Sequence, residues 1–152
     1  MSALASVSST DDAVSELCVR SQASNLASIA EFVSGRARQS GMDENTVFDV
    51  QMAVDEACTN IIEHAYAGRG DGEVRICCYV RDADFVVRIS DDGMPFDPDA
   101  VPEPRIGAPI EERDIGGLGL FFMRQLMDRV EFRAGDLSGN MVEMTKAIRG
   151  RR

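Results

Sequence analysis

Apolar positions along the chain fall into two periods. Leu26, Ile29, Phe32, Val33 and Ala37 recur at helical spacing after the capping residues at 21–24, and Gly41 ends that run. Val47, Val50, Val54, Ala57, Ile61 and Ala65 form a second helical stripe, which predicts a helix over 46–66 capped by Asp43 or Asn45. Residues 73–80 and 85–90 are rich in Val and Ile and predict two strands joined by the turn at 81–84. A short strand is predicted at 15–20, and a third helix at 118–128 behind the glycines at 116–119. A closing hairpin of 130–134 and 141–148 is predicted around 135–140. The segment 91–114 holds all of the chain's prolines and has no apolar period, so it reads as a long functional loop. Strand, two helices, two strands, loop, helix, two strands is the order of an α+β protein. It predicts a two-layer sandwich, with a mostly antiparallel sheet covered on one face by helices.

At 152 residues the chain is long enough for one domain, expected over 13–148, between a disordered segment at 1–12 and a basic tail at 149–152. A formal charge of −10 repels nucleic acid, so no direct nucleic-acid partner is expected. No apolar run is long enough to cross a membrane, and residues 1–12 lack the features of a signal peptide. Cytoplasmic placement is the expectation. Cys18, Cys58, Cys77 and Cys78 form no CxxC pair and read as reduced thiols, with Cys77 and Cys78 on opposite faces of a strand. Lys146 is the sole lysine, so a lysine-dependent phosphate loop has nothing to work with.

Three motifs carry chemistry. Glu56 and Asn60 stand four apart on the second helix and project from one face. The carboxamide offers a hard oxygen to Mg²⁺, and the carboxylate can take a proton from an attacking hydroxyl. Glu63 and His64 lie one turn further. Asp91, at a strand end before Asp92 and Gly93, can accept from an exocyclic amine, and Gly93 lets the backbone approach a ring. Gly116, Gly117, Leu118 and Gly119 open the third helix, where free N–H groups and the helix dipole favour phosphate. Singly, each is also what a solvated helix face, a plain turn or a closely packed helix entry carries; the specificity lies in the ordered set.

That set resembles the N, G1 and G2 boxes of the GHKL (Bergerat-fold) ATPase superfamily. The stretches 54–66, 91–98 and 116–128 look most like its anti-sigma serine/threonine-protein kinases. The resemblance covers residues 13–148. It implies Glu56 as catalytic base, Asn60 as Mg²⁺ ligand, and Asp91 with Gly93 at adenine. Gly117, Leu118 and Gly119 would hold phosphates, and 97–114 would be an ATP lid. It further implies a kinase that phosphorylates an anti-anti-sigma (STAS) protein, holds a sigma factor and forms a homodimer, with Arg20 where partner contacts occur. Pro95 stands where G1 often has a second glycine, which implies a stiffer hinge. Two other readings remain open: a non-catalytic ATP-binding module acting by docking, and a detached histidine-kinase domain. Against the latter, no helical dimerisation segment is visible. His64 lies on the N-box helix rather than a separate one and reads as structural. The acidic cluster 111–114 reads as solvated, and the Met-rich third helix as core.

Overall fold

The computed structural model describes residues 6–9, 14–95, 117–136 and 139–149. Strands β1 (Ser6–Ser9) and β2 (Ser15–Arg20) lead through one 3₁₀ turn into helix α1 (Leu26–Gln39). Helix α2 (Glu44–Asn60) continues into a π-helical turn, Ile61–Ala65. Strands β3 (Glu73–Arg81) and β4 (Asp84–Asp91) make a hairpin. Helix α3 (Gly117–Leu126) and strands β5 (Arg129–Asp136) and β6 (Gly139–Ala147) complete the order. The strands form one six-stranded sheet, β1-β2-β3-β4-β6-β5, in which every described pairing is antiparallel.

Alternation along the strands decides which face is covered. Val74, Ile76 and Cys78 of β3, Phe85, Val87 and Ile89 of β4, and Val142 and Met144 of β6 are buried and point to one side. The three helices close that side. Val33 and Ala37 of α1, Val50, Ala53, Val54 and Ala57 of α2, Met123 of α3 and Met127 just beyond it belong to the same core cluster. Burying each such Val, Ile or Met contributes about 1.5–3 kcal/mol, so this single cluster dominates the stability of the domain. The outer face is polar. There Glu143 of β6 bonds Arg88 of β4 at 2.8 Å and Arg81 of β3 at 3.2 Å, clamping together the two strands, β4 and β6, that carry the site.

Local chemistry sets the helix ends. Asp43 accepts the Thr46 N–H at 2.8 Å, one of the two caps expected for α2. The sole lysine is not a phosphate ligand. Its ammonium donates to the Leu126 carbonyl at 2.6 Å and lies 3.8 Å from Asp49, so it closes the C-terminus of α3. Cys78 is buried in the core and Cys77 is half-exposed on the outer face; all four cysteines are free. Desolvation raises the Cys77 thiol to about 11, and Glu16 beside it adds to the effect, so it stays protonated.

Two expectations change. Residues 6–9, expected to be disordered, form an edge strand. The open side of β2 offers unpaired backbone groups, and Ser6–Ser9 fills them in register with Ser15–Cys18. The predicted helix over 46–66 is α-helical only to Asn60. Beyond that the Tyr66 N–H bonds the Ile61 carbonyl, five residues back, at 3.0 Å. The expected lid, 97–114, lies outside the described residues, and so does Gly116.

Candidate functional site

The π-turn shapes one end of the molecule. Widening the helix turns the Ala65 carbonyl towards the segment after β4, where it accepts the Met94 N–H at 2.8 Å. Tyr66, 5% exposed, reaches the same segment. Its hydroxyl accepts the Asp92 N–H at 2.8 Å and donates to the Glu73 carbonyl at 2.7 Å. The turn 91–94 is thereby held against the end of the second helix from two sides. Gly93 sits in that contact. A Cβ there would stand 2.5 Å from the Ala65 oxygen and 2.8 Å from the Ala65 Cβ. Packing on the π-turn by itself requires a glycine at this position. Gly93→Ala should cost about 1–3 kcal/mol, a melting-point drop of roughly 3–9 °C in a domain of this size. A thermal melt followed by circular dichroism checks this; an unchanged midpoint would remove the clamp from the account.

Between α2, the ends of β4 and β6, and α3 lies a cavity of about 340 Å³. Its walls include Ala57, Ile61, Ile89, Met123 and Val142, and its polar groups include Asn60, His64, Asp91 and Asn140. Mostly apolar walls with a few convergent polar groups, at that volume, suit a flat heterocycle. Asp91 is buried at the end of β4. Its Oδ1 accepts the Gly93 N–H at 2.8 Å and the Asn140 side-chain N–H at 2.9 Å. Asp92 points the other way and pairs with Arg75 at 3.2 Å. The structure thus separates the two adjacent carboxylates, and Asp91 is the one at the cavity.

Glu56 and Asn60 stand one turn apart on α2, both half-buried. The Glu56 carboxylate lies directly over Gly119 in the first turn of α3. A Cβ on Gly119 would collide with its Oε2 and stand 2.8 Å from its Cδ. Gly119 is buried and Gly117 opens the helix. The Leu118 side chain is outside the described residues. Burial raises the Glu56 pKa, the neighbouring Asp55 and Glu63 carboxylates raise it further, and His64 partly offsets them. A carboxylate so raised is a stronger base.

The strand-end aspartate and Asn60 therefore share one cavity, and one turn before Asn60 the helix carboxylate lies against the glycine-led start of α3. The chain matches the family described as histidine kinase-like ATPase domain over residues 19–146. It is 35% identical to serine-protein kinase RsbW of Bacillus subtilis over 142 residues, 90% of this chain and 87% of the relative. RsbW of Listeria innocua is 36% identical over 120 residues, covering 76% of this chain and 75% of the relative. The chain belongs to the RsbW serine-protein kinases, within the histidine kinase-like ATPase domains. The enzyme class of this family is ATP-dependent protein-serine/threonine kinase. A crystal structure of the RsbU and RsbW domains of Rv1364c from Mycobacterium tuberculosis superposes with a TM-score of 0.63 at 16% identity. It covers 90% of this chain and 34% of that longer one, and supports the fold.

Within this RsbW-type domain, sequence reasoning missed two residues. The sequence places Asn140 in the hairpin turn at 135–140. It is instead the first inward position of β6, in register with Asp91, and it donates to Asp91 and to the Gly93 carbonyl at 3.0 Å. A polar residue in phase with Val142 and Met144 was the available signal. In the sequence Tyr66 stands as the last residue of the predicted second helix and of the 54–66 stretch, with nothing that points to its hydroxyl's partners. His64, read as structural, is exposed and lines the cavity one turn beyond Asn60. Arg20 is exposed at the end of β2, donating to the Asp71 carbonyl at 3.2 Å. No described helix is long and apolar enough to cross a membrane.

Proposed function

We propose that this protein transfers the γ-phosphoryl group of ATP to a serine of an anti-anti-sigma (STAS) partner. The same protein would hold a sigma factor in the cytoplasm and so regulate transcription, acting as a homodimer. The observation that carries the catalytic part is that Glu56 lies against Gly119 at the start of α3, one turn before Asn60, which lines the cavity together with Asp91.

In this reading Asp91 accepts from the adenine amino group while Asn140 and the Gly93 N–H fix its carboxylate. The apolar walls take the ring. Gly117, Leu118 and Gly119 present backbone N–H groups to the phosphates at the start of α3. Asn60 would hold Mg²⁺. The fit rests on donor chemistry: one hard carboxamide oxygen beside the phosphate site suits an ion that takes most of its ligands from phosphate and water. The ion, when bound, neutralises charge on the transferring group. Glu56 takes the serine proton as the serine Oγ–P bond forms and the bond from phosphorus to the β–γ bridging oxygen breaks, with ADP as leaving group. Positioning and electrostatics supply most of the acceleration.

The test is transfer of label from γ-labelled ATP to a purified STAS protein of the same genome. Label on a serine that disappears when EDTA removes Mg²⁺ supports the reading. ATP binding without transfer to any STAS protein would leave a docking module in place of a kinase for that partner.

A further inference from the structure

Six large hydrophobic side chains are exposed among the described residues, and three of them stand on the neighbouring helices α2 and α3. Phe48 is 58% exposed, Met52 43% and Phe122 48%. Phe48 and Met52 stand eight and four residues before Glu56, so Phe48, Met52, Glu56 and Asn60 form one ridge of α2 at four-residue intervals. Helix α3 runs back along this ridge. Its first turn meets Glu56 through Gly119. Its last turn is tied through Lys146 to Asp49 near the start of α2. This antiparallel run brings Phe122, one turn past Gly119, to the level of Met52, one turn before Glu56.

The ridge has a nucleotide end and a far end. Asn60 lines the cavity, whereas Met52 and Phe48 lead away from it on the other side of Glu56. A hydroxyl that reaches Glu56 belongs to a macromolecule, and that macromolecule has to cover what surrounds the base. The cavity takes up one side. The apolar ridge is directly continuous with the other. Asp43, Glu44 and Asp55 are exposed beside it, and the chain carries −10 overall.

We propose that Phe48, Met52 and Phe122 form the platform on which the phospho-acceptor protein docks. The acceptor places apolar side chains about 6 and 12 Å from its reacting hydroxyl, one and two helical turns along the ridge, with basic residues flanking them. This inference rests on the kinase reading above. An exposed apolar cluster of this kind marks an interaction surface when it adjoins a site, and scattered single residues do not.

The test uses the full chain with the double substitution Phe48→Ser/Met52→Gln and, separately, Phe122→Ser. All three side chains are exposed, so folding is expected to survive; circular dichroism and ATP affinity verify it. The expected result is at least a tenfold rise in KM for the STAS acceptor, with kcat and ATP affinity unchanged. Oligomeric mass, measured by light scattering, should also stay unchanged. An unchanged KM overturns the platform while leaving the kinase intact. A loss of dimer mass overturns it in favour of a contact between two copies of the chain. If the wild-type protein binds ATP and labels no protein acceptor, the kinase reading fails and the platform falls with it.

Discussion

Glu56→Gln should abolish most phosphoryl transfer while leaving ATP bound, a loss of about 10²–10⁴ in rate, the usual worth of a positioned general base. Glutamine keeps the shape that fits over Gly119 but cannot take the serine proton. The acid limb of the wild-type rate profile reports the same group. Burial, with the charges of Asp55 and Glu63, raises the Glu56 pKa. The active ionised form is therefore lost at a higher pH than for an ordinary glutamate, and the rate should climb through that shifted value to a plateau. The variant should lack this limb. Stability carries the opposite sign. A carboxyl whose pKa is raised by folding contributes stability below its unfolded value, and that contribution is lost as pH rises through the folded value. At neutral pH the ionised Glu56 is a mild burden, so the glutamine variant should melt no lower than wild type. Equal transfer rates at pH 7 for the two proteins would remove Glu56 from the chemistry.

Asp91→Asn should weaken ATP binding by roughly 10- to 100-fold, the equivalent of losing one hydrogen bond to a charged group at about 1.5–3 kcal/mol. One Asp91 oxygen already accepts from both Gly93 and Asn140, at 2.8 and 2.9 Å. An asparagine can keep those two contacts only by turning its NH₂ towards the adenine amino group, donor against donor. Guanine presents a carbonyl at the corresponding position, so the preference for ATP over GTP should shrink along with the affinity. Titration calorimetry with both nucleotides measures this. An unaltered ATP affinity would mean that the base is recognised elsewhere. Together the two substitutions separate chemistry from binding, since Asp91 lines the cavity and Glu56 lies beyond Asn60 against the start of α3.

The helices, the β3–β4 hairpin and the three motifs were legible because their signals are local. A helical apolar stripe and a period-2 strand each follow from which face must leave water, and the core cluster contains the stripes that periodicity singled out. The Glu56/Asn60 pair was legible for the same reason, since a four-residue spacing fixes a shared face. What lay beyond reach depends on contacts between distant segments. The π-turn at Ile61–Ala65 has no separate sequence period. It is fixed by the Met94 N–H and by Tyr66, whose partners lie on β3 and in the turn after β4. The role of Asn140 depends on the register of β6 against β4, which is set across the sheet.

The sequence by itself determined the fold class, the order of elements from β2 onward, the family and the residue types at the site. Spacing and periodicity are properties of the chain before it folds. Only the tertiary structure decided which of two adjacent aspartates faces the cavity, why Gly93 must be a glycine, and how Glu56 comes to lie over α3. It also decided which apolar residues of α2 and α3 remain outside the core. Each of these is settled by what packs against a residue from elsewhere in the chain, and a pattern of neighbours in sequence does not encode that.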